Sequence, residues 1–203
     1  MIIKYSPTEK PEIKTDMTNS EKKGKLFVIT APSGAGKTTI RNYLLVNHPE
    51  LYFSVSATTR QPRIGEIIHK DYHFMTQEEY NEHLRNNNFL EHAEVFGNYY
   101  GTLKNPIIER LENGIDVLLD VDTKGAKQVK QKLPEAVLIF IEPPSMQELE
   151  RRLRSRGTES EEVVCKRLRE AEFEMDKREF FDYRVVNDVL EIAEKEIGKI
   201  LFP

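Results

Sequence analysis

Ala31-Pro32-Ser33-Gly34-Ala35-Gly36-Lys37-Thr38 governs how the rest of the chain is read, because it follows the apolar run Leu26 to Thr30 and opens an amphipathic stretch from Lys37 to Asn47. An apolar strand, a glycine-rich turn and a helix starting at lysine form the setting that a triphosphate-binding loop requires. Gly34 and Gly36 let backbone amide hydrogens converge, and the start of the helix adds its positive end. Lys37 brings a full charge to the terminal phosphates, worth about 4 kcal/mol at ~4 Å with an effective dielectric of roughly 20. Thr38 offers a hydroxyl to magnesium, with Thr39 beside it. Ala31 stands where such loops normally carry their first glycine; alanine is the smallest replacement, and a position at a strand end need not take a positive φ.

Outward from this loop, short apolar runs alternate with longer amphipathic ones, as in a parallel sheet covered by helices. Val117 to Leu119, Ala136 to Ile141 and Arg184 to Val186 read as strands. Lys124 to Lys132, Met146 to Arg156 and Val189 to Lys199 read as helices. Tyr52 to Thr102 breaks the rhythm with short alternating runs rich in Tyr, Phe, Ser, Thr and Arg, which predicts a small inserted sheet carrying a helix near Thr76 to Asn86. Ser155 to Glu162 is polar and charged between two helices, which predicts a mobile flap. The fold class is therefore α/β, a P-loop core with a parallel sheet flanked by helices, an inserted subdomain and a lid. The expected division is a flexible tail over 1–23 and one domain over 24–203, with its core in 24–51, 103–154 and 170–203, the insertion in 52–102 and the lid in 155–169.

The 203 residues suit one domain with small insertions. Thirty Lys and Arg stand against 34 Asp and Glu, a net charge of −4, which argues against wrapping duplex nucleic acid and makes any basic site local. No apolar run approaches the ~20 residues needed to span a bilayer. The single cysteine, Cys165, excludes an intrachain disulfide and a thiolate metal cluster, so a reducing compartment, the cytoplasm, is expected. Cys165 itself is expected to be a buried structural thiol. His48, His69, His73, His83 and His92 lack zinc-site spacing and read as surface or packing residues. Residues 1–23 read as a solvated appendage, not an export signal.

Two further stretches carry chemistry. Val117-Leu118-Leu119-Asp120-Val121-Asp122 is an apolar strand ending in acid, where a carboxylate such as Asp120 can hold magnesium through water. The two carboxylates are expected to do different jobs. Ser54-Val55-Ser56-Ala57-Thr58-Thr59-Arg60-Gln61-Pro62-Arg63, followed by Lys70-Asp71-Tyr72, suits a phosphomonoester, since guanidinium forks match phosphate oxygens and a phenol adds a neutral donor. On composition alone, a solvated basic loop explains this segment equally well.

Taken in order, Thr30 through Thr38, SVSATTRQPRIGE, KDYHF, FLEHAEVFGNYYGT, LLDVDTKGA, RRLRSRGTES and the Val-Val-Asn-Asp stretch ending at Asp188 resemble the guanylate kinases, which transfer phosphate from ATP to GMP. The resemblance covers about Lys25 to Lys199. It implies that the insertion is a nucleoside-monophosphate subdomain, with the acceptor phosphate held by Arg60, Arg63, Tyr72 and Tyr100. The base would be read by Ser56, Glu91, Thr102 and Asp122. A carboxylate such as Glu91 accepts the guanine N1 hydrogen and 2-amino group together, while hydroxyls at Ser56 and Thr102 serve O6 or N7. Arg156 opens the family's lid and Arg167 lies on its returning helix, where both would neutralise charge on the transferring group. Arg152 and Asn187 would join the ATP side, with Asn187 near adenine. Implied partners are GMP, ATP and magnesium, with neither nucleic acid nor membrane; monomer and homo-oligomer are both compatible with the sequence.

Two rivals can be stated. A noncatalytic interaction module is one, because domains resembling guanylate kinases also occur in scaffolding proteins; the intact Lys37 and Thr38 weigh against it. A P-loop kinase with another acceptor is the other, and Glu91, Ser56 and the two tyrosine motifs weigh against that. Tyr99, adjacent to Tyr100 and facing the opposite way in an extended segment, is expected to pack.

Overall fold

The computed structural model describes residues 23–155, 157 and 160–203. Residues 1–22 of the expected tail over 1–23, and Arg156, Thr158 and Glu159 of the expected lid, lie outside the described residues. From the amino end run β1 (Leu26–Thr30), α1 (Lys37–Asn47), β2 (Tyr52–Phe53), β3 (Ala57–Thr58), β4 (His73–Phe74) and α2 (Gln77–Arg85). β5 (Phe89–Val95), β6 (Asn98–Leu103), α3 (Lys104–Glu112), β7 (Val117–Asp120) and α4 (Thr123–Lys132) follow. β8 (Val137–Glu142), α5 (Met146–Ser155), α6 (Glu161–Met175), β9 (Tyr183–Val186) and α7 (Leu190–Leu201) complete the fold.

β1 is buried at all five positions, as a central parallel strand covered on both faces must be. It lies between β7 and β8 in a five-stranded parallel sheet ordered β2-β7-β1-β8-β9. Alternation divides its side chains. Phe27 and Ile29 join Ile40 and Leu44 of α1, Leu149 and Leu153 of α5 and Ile197 of α7 on one face, whereas Leu26 and Val28 join Ile107 of α3 and Val129 of α4 on the other. The expected strands and helices appear within one or two residues of their sequence boundaries. α3 had no sequence expectation: Pro106 falls in its first turn, where a missing N–H costs nothing, and buried Ile107 anchors it to the sheet.

A second sheet, ordered β4-β3-β6-β5, holds the insertion. The expected boundary at residue 52 shifts, because Tyr52 and Phe53 pair with Val117 and Leu118 as the edge of the larger sheet. The expected helix is α2, closed by a reciprocal capping box between Thr76 and Glu79. A register shift between Phe89 and Glu91 marks a bulge in β5. Phe89 packs with Ala57 and Tyr80 under the small sheet, while Leu90 enters the core of the large one. Gln128 of α4 bonds the backbone of His92 in both directions, at 3.2 and 3.0 Å, and Lys132 Nζ donates to the Phe89 carbonyl at 2.7 Å. These contacts fix the insertion above the carboxyl ends of β1 and β7.

The expected lid boundary at 169/170 falls inside α6, which runs unbroken from Glu161 to Met175. On this helix Cys165 is exposed, which corrects the expectation of a buried thiol: Val164, one position earlier, takes the inward place at 3% exposure. Among the described residues no helix is long and apolar enough to cross a membrane.

Phe89→Ala tests the insertion's dependence on its small core. Removing a buried aromatic side chain costs about 3–5 kcal/mol, so amide exchange is expected to lose protection across β3 and β6 while β1, β7 and β8 keep theirs. Uniform loss over both sheets would show that the insertion does not open on its own.

Candidate active site

The loop after β1 turns through two left-handed glycines, Gly34 and Gly36, each at φ 96°. Gly36 could not be otherwise: a Cβ there would stand 2.3 Å from Asn187 Nδ2. That amide donates to the Ala35 carbonyl at 2.7 Å, entirely within the interior. Ala31 is buried and has no positive φ, so the missing first glycine leaves no strain. Lys37 opens α1, and its Nζ lies 2.5 Å from Asp120 Oδ1 and 3.3 Å from the Val121 carbonyl. The parallel pairing of Ile29 with Asp120 brings loop and carboxylate to the same end of the sheet.

Asp120 and Asp122 make different contacts: the strand ends at Asp120, which pairs with Lys37, and Asp122 caps α4 by accepting from the Gly125 N–H at 2.7 Å. A cavity of about 650 Å³ runs along Ala31 to Gly34 and Gly36 to Thr39, with Asp122, Phe96, Phe173, Glu174 and Lys177 opposite. A second, of about 310 Å³, is lined by Lys37, Arg41, Ser56, Tyr72, Asp120 and Asp122. Lys37 and Asp122 belong to both, so the two spaces meet at the lysine.

On the insertion side, Arg60 gives three hydrogen bonds within its own loop, to the Gln61 carbonyl at 2.8 Å and to both oxygens of Glu66 at 3.0 and 2.7 Å. Glu66 also accepts the Arg63 N–H at 2.7 Å. Glu66 is the largest influence raising the Arg60 pKa. The Arg60 guanidinium lies over the Tyr72 ring at 5.3 Å, and Tyr72 meets Tyr100 edge-on at 5.9 Å. Burial pushes the Tyr72 phenol up, so its O–H remains a donor. Tyr99 packs on Tyr80 at 5.2 Å, as alternation requires. Arg63 is exposed and lines neither cavity.

Glu91 is 7% exposed and accepts from Thr102 Oγ1 at 2.6 Å. Burial raises its pKa, against the pull of that hydrogen bond. Thr102 thereby departs from expectation: its one hydroxyl hydrogen is spent on Glu91, so it orients the carboxylate, and Ser56 is left as the hydroxyl facing the cavity. Asn187 departs likewise. Its amide braces the loop from beneath, and its carbonyl accepts Arg152 Nη1 at 2.9 Å, a guanidinium that also holds Glu148 at 2.8 Å. Both residues support the loop and neither lines a cavity. Arg167 Nη1 donates to Ser33 Oγ at 2.7 Å, which joins α6 to the loop.

Three site residues escaped the sequence reading. Glu66 had a signal, an acid three positions after Arg63. Arg41 had one too, standing one helical turn after Lys37. Glu174 had none, since nothing local shows that α6 turns it toward Lys37.

The guanylate kinase family matches residues 23–202. The chain belongs to the guanylate kinase family. It is 46% identical over 179 residues to a guanylate kinase of Carboxydothermus hydrogenoformans, covering 88% of both chains. To a guanylate kinase of Escherichia coli it is 48% identical over 180 residues, covering 88% of this chain and 87% of the other. The crystal structure of guanylate kinase from Anaplasma phagocytophilum matches with a TM-score of 0.70 at 37% identity, over 89% of this chain and 85% of that one. In guanylate kinase terms, the loop and α6 flank the larger cavity, and the insertion closes the smaller one.

Asn187→Ala strands a buried carbonyl at Ala35, at a cost of about 1–3 kcal/mol, and is expected to lower Tm by several degrees. Unchanged melting would show that the loop supports itself. Glu174 is pushed up to about 7 by burial, against the pull of Lys37. Its native form holds a proton more tightly than the unfolded chain does, so stability falls as pH rises from the ordinary carboxylate range toward 7. Glu174→Gln is expected to raise Tm clearly at pH 8 and much less at pH 5; equal gains at both would remove the titration argument.

Proposed function

We propose that this chain transfers the terminal phosphoryl group of ATP to GMP, and to dGMP, by direct in-line displacement, giving ADP and GDP in the cytoplasm. The observation that carries the reading is the meeting of two spaces at Lys37, one walled by the glycine loop and the other by Ser56 and Tyr72 of the insertion. An oxygen of the GMP phosphate attacks the γ-phosphorus, and the bond from that phosphorus to the β,γ-bridging oxygen breaks, leaving ADP. The attacking oxygen is already anionic at neutral pH, so no general base is needed, and positioning with charge neutralisation carries the catalysis.

Lys37 and the loop amides take the triphosphate. Arg60, which keeps donors beyond those given to its own loop, would hold the acceptor phosphate with Tyr72 and Tyr100, and Arg63 would add charge from the rim. Arg167, already on Ser33, together with Arg152 and Arg156, would neutralise charge on the transferring group. Magnesium suits the donor set: Thr38 presents an exposed hydroxyl beside Lys37, and Asp120 a carboxylate at the strand end. Among the described residues no three His, Cys, Asp or Glu gather to hold a metal, so the ion would draw most of its oxygens from phosphate and water, as magnesium does. When bound, it supplies neutralisation of the phosphate oxygens.

Glu91 carries base selection. Its carboxylate matches the paired guanine donors, which adenine lacks, and a buried acceptor left unpaired discriminates by on the order of 10⁴. A coupled assay offering GMP, dGMP, AMP and UMP separately with magnesium ATP is expected to show turnover with the two guanine nucleotides alone; comparable rates with AMP would remove the assignment. Glu91→Gln replaces a charge-assisted acceptor by an amide and is expected to lower kcat/KM for GMP about 100-fold or more, with the KM for ATP unchanged. As pH falls and Glu91 takes up its proton, the KM for GMP is expected to rise in the wild type and to lose that dependence in the variant.

A further inference from the structure

Arg41 stands one turn beyond Lys37 on α1, so the two cations share a helix face, and they reach the same carboxylate. Lys37 Nζ is 2.5 Å from Asp120 Oδ1, and Arg41 Nη1 is 3.3 Å from Oδ2. Arg41 is fixed by more than this contact. Its guanidinium lies over the Phe53 ring at 5.1 Å, and its Nε and Nη2 donate to Asn42 Oδ1 at 3.3 and 3.1 Å.

Lys37 has two claims on it. It neutralises Asp120, and on the reading that the loop binds ATP it must also reach the triphosphate. Only 12% of the Asp120 side chain is exposed, so withdrawing a sole cation would strand a largely desolvated carboxylate, which is strongly unfavourable. A second cation on the other oxygen removes that penalty. The mutual repulsion of Lys37 and Arg41 also weakens the hold of the carboxylate on the lysine, and two positive charges against one negative leave a surplus facing the cavity.

We infer that Arg41 is a positioning residue that keeps Asp120 paired while Lys37 turns to the phosphates. The role is distinct from acceptor binding, although Arg41 also lines the smaller cavity with Ser56 and Tyr72.

A double-mutant cycle on the full chain tests this, using Arg41→Gln, Asp120→Asn and the double variant. ATP affinity is read by titration calorimetry in EDTA, and GMP affinity separately. Arg41→Gln is expected to weaken ATP about 5- to 30-fold when Asp120 is present and less than twofold in the Asp120→Asn background, with GMP affinity changed less than twofold. Arg41→Met, which keeps an apolar stem against Phe53, is expected to repeat the result if the Gln variant melts too early, and Arg41→Lys to restore most of the affinity.

Equal losses in both backgrounds would mean that Arg41 touches ATP itself, and a matching loss for GMP would make it an acceptor ligand; either overturns the inference. Tight ATP binding by wild type and Arg41→Gln alike overturns it while leaving the phosphoryl-transfer reading intact. Failure of the wild type to bind ATP both in EDTA and with magnesium would end both.

Discussion

The ion pair between Lys37 and Asp120 depends on register before it depends on chemistry. Because β1 and β7 run parallel with Ile29 beside Asp120, the carboxylate arrives at the end of its strand where the glycine turn hands the chain to α1. A shift of one residue would send alternating side chains to the wrong faces and bury Asp120 among Leu118 and its neighbours. The same register lets Thr30 donate its hydroxyl to the Val121 carbonyl at 3.1 Å, which closes the crevice floor. Both cavities stand on that floor, so the chemistry available at Lys37 follows from strand pairing.

The acceptor side is placed by a second device, the bulge in β5. An unbroken strand would put Phe89 and Glu91 on one face and Leu90 on the other. The extra residue lets Phe89 serve the small core, Leu90 the large core, and Glu91 turn toward Gly125 of α4, where an added Cβ would stand 3.1 Å from its carboxylate oxygen. A side chain at Gly125 would therefore crowd the Glu91 carboxylate. Capping of α4 by Asp122 holds that glycine in place.

What was legible in the sequence is what neighbouring residues decide among themselves. The run from Leu26 to Asn47 shows strand, turn and helix because each is set by local alternation and by glycines at the turn. α2 announces itself through Thr76 and Glu79. β2 did not, since two residues carry no period and only their pairing with Val117 and Leu118 assigns them to the larger sheet. Asn187 lies 152 positions from the Ala35 carbonyl it holds, and nothing near it in sequence reveals such a contact. Thr102 and Glu91 were both found, but their bond to each other, which changes the role of the threonine, exists only across paired strands.

A shared pattern runs through the cations assigned to phosphate. Lys37 rests on Asp120, Arg60 on Glu66, and Arg152 on Glu148. Each carboxylate keeps its partner extended and oriented, so phosphate meets a cation whose side-chain entropy has already been reduced. On the proposed function, phosphate would compete with carboxylate for each of these cations. The smaller cavity shows the same balance, with Lys37, Arg41 and Lys70 set among Asp71, Asp120 and Asp122. On the proposed function, base selection would fall to Glu91, the buried acid that accepts the Thr102 hydroxyl.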